Sequence, residues 1–248
     1  MVWLSTYETH QVNRNEGLLI DDEDDKGNIS RGSKDLYYLK EIKTKTHYAT
    51  FSLSDRRDGI EAHSPSVSSP RSLKVLDKIR LYSIKNELIK TVHFKYTYEL
   101  CPGVNNNIHY GDDQVPDSEK GKLTLKEMYI TYGSSSKGRL NSYKFEYGEL
   151  NEFDVNESNH PYDSKSYDRW GGYSPRIVDP NSGLRSIEFP YVSQEIDEEG
   201  NFLADQYAKS WTLSKIKLPS GGQIDIELEA DDYAYVENEK AMQMFKVF

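Results

Sequence analysis

The chain has 248 residues, 36% of them hydrophobic and 29% charged, with a net charge of −10. That balance argues against a general nucleic-acid binder, which needs Lys and Arg on one face to release counterions, and against adhesion to an anionic membrane surface. No apolar run approaches the roughly 20 residues that span a bilayer, and the single cysteine, Cys101, excludes an internal disulfide framework and a Cys-rich zinc site.

Residues 1–35 form an N-terminal region with a short apolar start, a strand candidate at Leu18-Leu19-Ile20 and the acidic run Asp21-Asp22-Glu23-Asp24-Asp25. Asp21, Glu23 and Asp25 ahead of Gly27 approach a calcium loop. The glycine falls one place late and no bidentate Glu stands at the right distance, so a solvated acidic turn is expected. The first residues lack the basic start and apolar core of a signal peptide, and both ends of the sequence read as cuts through a longer polypeptide.

Residues 36–148 read as three hairpins. The first runs from Leu36 to Ser54 and is followed by a polar Ser/Pro-rich connection over 55–72. The second spans about 73–100 and turns near Lys85-Asn86-Glu87; a long loop follows from Cys101 to Gly121. Loops of that length are uncommon unless functional or disordered. The third spans Lys122 to Gly148 and turns between Gly133 and Gly138.

A Leu-x-x-aliphatic step recurs at Leu39/Ile42, Leu76/Ile79, Leu125/Met128 and Leu213/Ile216, at irregular intervals. After the first three come the alternating strands Ala49-Thr-Phe51-Ser-Leu53, Val92 to Tyr98 and Tyr143-Lys-Phe145-Glu-Tyr147. Strict alternation would put the two apolar residues of each step on opposite faces. Either a bulge bends each strand or the strand is apolar on both faces; the lysines and acids crowded around these steps favour the bulge.

Residues 149–210 form an aromatic-rich irregular insertion, with one helix candidate over Phe202 to Ser210. Residues 211–248 hold the C-terminal hairpin and a further strand. Its alternation suggests Lys217 opposite Asp225, Lys215 opposite Glu227, Leu218 opposite Ile224 and Ile216 opposite Ile226. The connection would then be Ser220-Gly221-Gly222, closed by Pro219 and Gln223. The expected fold is all-β, an antiparallel meander of twisted hairpins with long loops and at most one or two short helices.

Chemistry is scarce in this pattern. The histidines at 10, 47, 63, 93, 109 and 160 show no metal-ligand spacing, and the Ser-x-x-Lys matches at Ser134/Lys137 and Ser214/Lys217 fall in a turn and a strand rather than on a helix. No catalytic residue, metal ligand or cofactor site is assigned. The candidate binding residues are Tyr162, Tyr167, Asp168, Arg169, Trp170 and Tyr173, aromatics with an Arg and an Asp that could stack on a glycan or anchor a protein. The competing reading has these rings plugging the end of a sheet. A glycoside-hydrolase-type enzyme is a further alternative, although 41 acids make some carboxylate pair inevitable.

Leu125-Lys-Glu-Met-Tyr-Ile-Thr-Tyr-Gly133 leading to Tyr143-Lys-Phe-Glu-Tyr147, then Leu213-Ser-Lys-Ile-Lys-Leu-Pro-Ser-Gly-Gly222 and Ile226-Glu-Leu-Glu229, resembles a segment upstream of the repeats in RHS/YD-repeat-related proteins. The phrases Tyr167-Asp-Arg-Trp-Gly171 and Asp231-Asp-Tyr-Ala-Tyr-Val236 look like large secreted or surface proteins of Bacteroidota with this organisation. The resemblance covers about residues 36–248; the Tyr-Asp-x-x-Gly-Arg core of the tandem repeats is absent from the sequence. It implies a non-enzymatic β-rich shell or scaffold module, extracellular or on the cell surface, whose partners are neighbouring modules of one long polypeptide. It carries no catalytic residue onto this chain.

Overall fold

A computed structural model of the chain describes residues 2–6, 29–60, 71–148, 159–163, 166, 172–173, 175, 207–228, 235–236 and 239–240. The chain divides into two compact units. The first comprises Met1–Glu8, Gly27–Tyr162 and Trp211–Ile226; the second comprises Thr9–Lys26, Asp163–Ser210 and Glu227–Phe248.

In the first unit, β1 (Val2–Thr6) and β2 (Ile29–Ser33) form an antiparallel pair. The remaining strands are β3 (Glu41–Lys43), β4 (His47–Ile60), β5 (Ser72–Ser83), β6 (Leu88–Leu100), β7 (Lys122–Tyr132), β8 (Tyr143–Tyr147), β9 (Leu213–Lys217) and β10 (Gln223–Asp225). They build one eight-stranded antiparallel sheet in which every strand lies beside its sequence neighbours. The fold is all-β and a meander, as the alternating apolar patterns predict.

Four hairpins in this sheet share one internal register: Glu41 faces Thr50, Lys78 faces His93, Glu127 faces Lys144 and Lys215 faces Asp225. The joints between successive hairpins are also alike. Phe51, Phe94 and Phe145 face Ile79, Met128 and Ile216, whereas Leu53, Tyr96 and Tyr147 face Leu76, Leu125 and Leu213. One residue is skipped each time, namely Asp77, Lys126 and Ser214. These are the bulges favoured by the sequence. Each returns its leucine to the face that carries the aliphatic residue three places on, because cross-strand partners share a face.

The bulges also set where the hairpin ladders end. Pairing of β5 with β6 stops at Lys78 and that of β7 with β8 stops at Glu127, one residue short of the bulge in each case. Past those points the tyrosine hydroxyls take over: Tyr96 donates to the Leu76 carbonyl at 2.9 Å and Tyr147 to the Leu125 carbonyl at 2.8 Å. A half-buried carbonyl that has lost its ladder partner is thereby satisfied.

Two expectations are corrected. In the C-terminal hairpin, Lys217 faces Gln223, Ile216 faces Ile224 and Lys215 faces Asp225, a shift of two residues that leaves every side chain on its expected face. The three-residue loop is Pro219-Ser220-Gly221, closed by Leu218 N–H to Gly222 O at 2.8 Å and Gly221 N–H to Leu218 O at 3.0 Å. Pro219 has no N–H to make the closing bond, and Gly221 takes φ +88°. The connection expected over 55–72 is also shorter than it looked, since β4 runs on to Ile60 and β5 begins at Ser72.

The far part of β4 holds together by polar closure. Arg56 to Gly59 bow out opposite Leu73. Ile108 N–H donates to Arg57 O, Ile60 N–H to Asn106 O, Arg57 N–H to the Tyr98 hydroxyl, and Leu123 N–H of β7 to the Asp58 carboxylate. The loop 101–121 is therefore packed against the sheet. Asn107 ties it down, donating to Glu119 O and Gly121 O while accepting from His109 N–H. The small core lies at this end: Val75, Tyr98, Cys101 and Val104, with Thr124 and Asn107.

Elsewhere the sheet is thin. Every residue from Leu76 to Ser83, from Val92 to Thr97 and from Leu125 to Thr131 is half-buried, so neither face of the central strands is sealed. One face carries the row Phe51, Ile79, Val92 and Ile130; the other carries Ser52, Lys78, His93 and Tyr129. A sheet with one covered face would alternate buried and exposed instead.

In the second unit, β11 (Tyr235–Val236) pairs antiparallel with β12 (Glu239–Lys240). Tyr173 meets Tyr207 edge to face, with centroids 6.1 Å apart. Of the helix expected over 202–210, Tyr207 and Ala208 are helical, whereas residues 202–206 lie outside the described residues.

Candidate functional site

The six candidate binding residues are distributed as follows. Tyr162 closes the first unit's segment 159–162, and Tyr173 belongs to the second unit, where it packs on Tyr207. Tyr167, Asp168, Arg169 and Trp170 lie outside the described residues.

Around Tyr162 the first unit builds a cluster that the sequence reading missed. Lys122, the first residue of β7, holds its ammonium 5.9 Å from the centroid of the Tyr162 ring and 5.9 Å from that of Trp211, near the outer limit of a cation–π contact. Tyr162 N–H donates to Pro102 O at 2.7 Å, and Trp211 Nε1–H donates to His160 O at 3.1 Å. Asn159 completes the clip: its Oδ1 accepts from Cys101 N–H at 2.9 Å and its Nδ2 donates to Glu99 O at 2.8 Å.

Two residues in this cluster, Cys101 (φ 52°) and Trp211 (φ 61°), adopt the left-handed conformation that non-glycine residues avoid. Each marks a place where the chain leaves or enters the sheet, and each is held by a bond from the 159–162 segment. The arrangement acts as a staple: it returns the chain after residue 158 to the end of β6 and sets the start of β9. Lys122, Asn159 and Trp211 sit far apart in sequence, so no local pattern announces them. The one available signal was the lone Trp at the head of the last hairpin.

The chemistry-bearing residues elsewhere have structural surroundings. Cys101 is 1% exposed, and burial pushes its thiol up from its ordinary value, against the pull of Lys122. His93 stacks on Tyr129 with centroids 4.5 Å apart and bonds Thr131 Oγ1 through Nε2 at 2.9 Å. Burial first, then Lys78, Arg80 and Lys95, hold His93 below the usual imidazole range. Among the described residues no group of three His, Cys, Asp or Glu side chains could hold a metal ion.

The sheet of the first unit is thus an antiparallel meander of hairpins with one repeated joint. No family model, curated protein or solved structure matches the sequence or the fold. Among the described residues no helix is long and apolar enough to cross a membrane.

Proposed function

We propose that this chain is a non-enzymatic structural β module of a large secreted or cell-surface protein of the RHS-like kind, serving as a shell or scaffold segment. The observation that carries the reading is the repeated hairpin joint in a sheet whose central strands are half-buried on both faces. Such a sheet gains most when neighbours cover its faces and continue its edges, which suits a wall segment better than a free-standing binding domain. The staple of Lys122, Tyr162 and Trp211 supports the same reading, since it directs aromatic and cationic side chains to chain closure.

The test is fractionation of the source cells with an antibody raised against the chain. The expected result is recovery in the envelope or the medium, within a polypeptide much longer than 248 residues. Recovery from the cytoplasm as a free chain of this length overturns the proposal.

A further inference from the structure

Each joint between hairpins has a middle pair flanked by apolar contacts. Ser52 faces Lys78, Lys95 faces Glu127 and Glu146 faces Lys215, so two of the three middle pairs are of opposite charge. Lys95 Nζ lies 3.5 Å from Glu127 Oε2. On β3 the same step is spelled Leu39-Lys40-Glu41-Ile42, and its pairing with β4 has the register of the other hairpins. Yet β3 ends the sheet. Its outward edge meets no strand among the described residues, and Leu39 and Ile42 are 52% and 50% exposed.

We propose that this edge of β3 is a docking site for one antiparallel strand of the form aromatic-Lys-aromatic. The first ring faces Ile42, the lysine faces Glu41 and the second ring faces Leu39, reproducing the joint made by Phe94-Lys95-Tyr96 on β7. The inference rests on the module reading and names the chemistry of the neighbouring strand. The docked strand supplies backbone partners to an open edge, covers two exposed aliphatic side chains and neutralises Glu41.

A second copy of this chain is a poor occupant. The opposite edge strand of the sheet, β10, is followed in sequence by Ile226-Glu227-Leu228, and Ile226 N–H donates to Ser214 O as Phe51 N–H donates to Lys40 O. Ile226 therefore stands where Phe51 stands in the first hairpin. A head-to-tail joint would set Glu227 against Glu41, and like charges directly opposite destabilise a strand pair. The edge selects a lysine-bearing strand over self-assembly.

The test titrates a labelled peptide of residues 91–98, Thr-Val-His-Phe-Lys-Tyr-Thr-Tyr, against the whole chain, beside the same peptide with Glu in place of the lysine. The lysine peptide is expected to bind about 10-fold tighter, the effect of exchanging an attractive for a repulsive cross-strand pair. Hydrogen exchange should slow at residues 40–43 and stay unchanged at 223–225. In the Glu41→Lys variant, whose site is exposed, the preference should reverse. Absence of binding, equal affinities, a preference unmoved by Glu41→Lys, or concentration-dependent chains of the protein alone would each overturn the proposal. If the edge fails while the antibody still finds the chain in the envelope, the module reading stands and neighbours contact it elsewhere. If the chain is found free in the cytoplasm, the module reading falls whatever the peptides do.

Discussion

Replacing Asp58 by Ala should open the closed end of the sheet in the first unit. The Asp58 side chain is 3% exposed and accepts from Arg56 Nε at 3.0 Å, Arg56 Nη2 at 2.8 Å and Leu123 N–H at 2.9 Å. Two strands separated by β5 and β6 are joined through this one carboxylate. Removing one partner of a buried ion pair costs about 3–5 kcal/mol, because the other charge and its donors lose their acceptor. Arg56 is 29% exposed, so water recovers part of that loss, and about 2–4 kcal/mol is expected. With a urea slope of about 2 kcal/mol per M, the unfolding midpoint should fall by about 1–2 M. Hydrogen exchange should accelerate at residues 57–60 and 122–124, with little change in the middle of β5 and β6. A midpoint shift below about 0.3 M at unchanged slope would refute this account of how the end is closed. The pH dependence follows from the same contacts. Burial alone would raise the Asp58 carboxyl, but the Arg56 and Leu123 hydrogen bonds outweigh it and hold the group below its ordinary value. The stabilisation is therefore full above about pH 4, the unfolded carboxyl value, and is lost as the pH falls through the lower folded value. Asp58→Asn should remove that part of the acid-side loss.

Other substitutions probe the repeated features. Tyr96→Phe and Tyr147→Phe should each cost about 1 kcal/mol in chemical denaturation, by the same amount, because both hydroxyls serve the carbonyl of the leucine at a bulge. A neutral result at one site would break their equivalence. Gly121→Ala should cost more than about 2 kcal/mol, since a Cβ there would lie 2.1 Å from Leu100 O and 2.5 Å from Tyr98 O, both fixed backbone. Gly221→Ala has open space around it and should cost only about 1 kcal/mol, from its positive φ. His93 sits below the usual imidazole value, so its contribution is present above about pH 6.5 and is lost as the pH falls through the lower folded value. His93→Gln should flatten stability over that range, and an unchanged slope from pH 7 to 5 would show that burial and the cationic neighbours do not hold the ring neutral.

Much of the sheet could be read in the residues themselves. The Phe-x-Tyr and Leu-x-x-Met patterns named the strands, their apolar faces and the phase break that proved to be a bulge. Hairpin turns near Lys85-Asn86-Glu87 were legible from composition, and Asn86 does take φ 66°. The staple was not legible. Lys122, Asn159 and Trp211 meet only because β6, β7 and β9 end at one place, and local periodicity carries no information about that.

Side-chain alternation determined which residues share a face, because a strand has a period of two and its charged residues must stay in contact with water. It did not determine the register of the last hairpin, where a shift of two residues preserves both faces and only the backbone of Pro219 and Gly221 distinguishes the alternatives. Nor did it reveal that Asp58 would reach Leu123, across two intervening strands. That contact is made where Arg56 to Gly59 bow out opposite Leu73, and the bow exists only once β4 and β5 have paired.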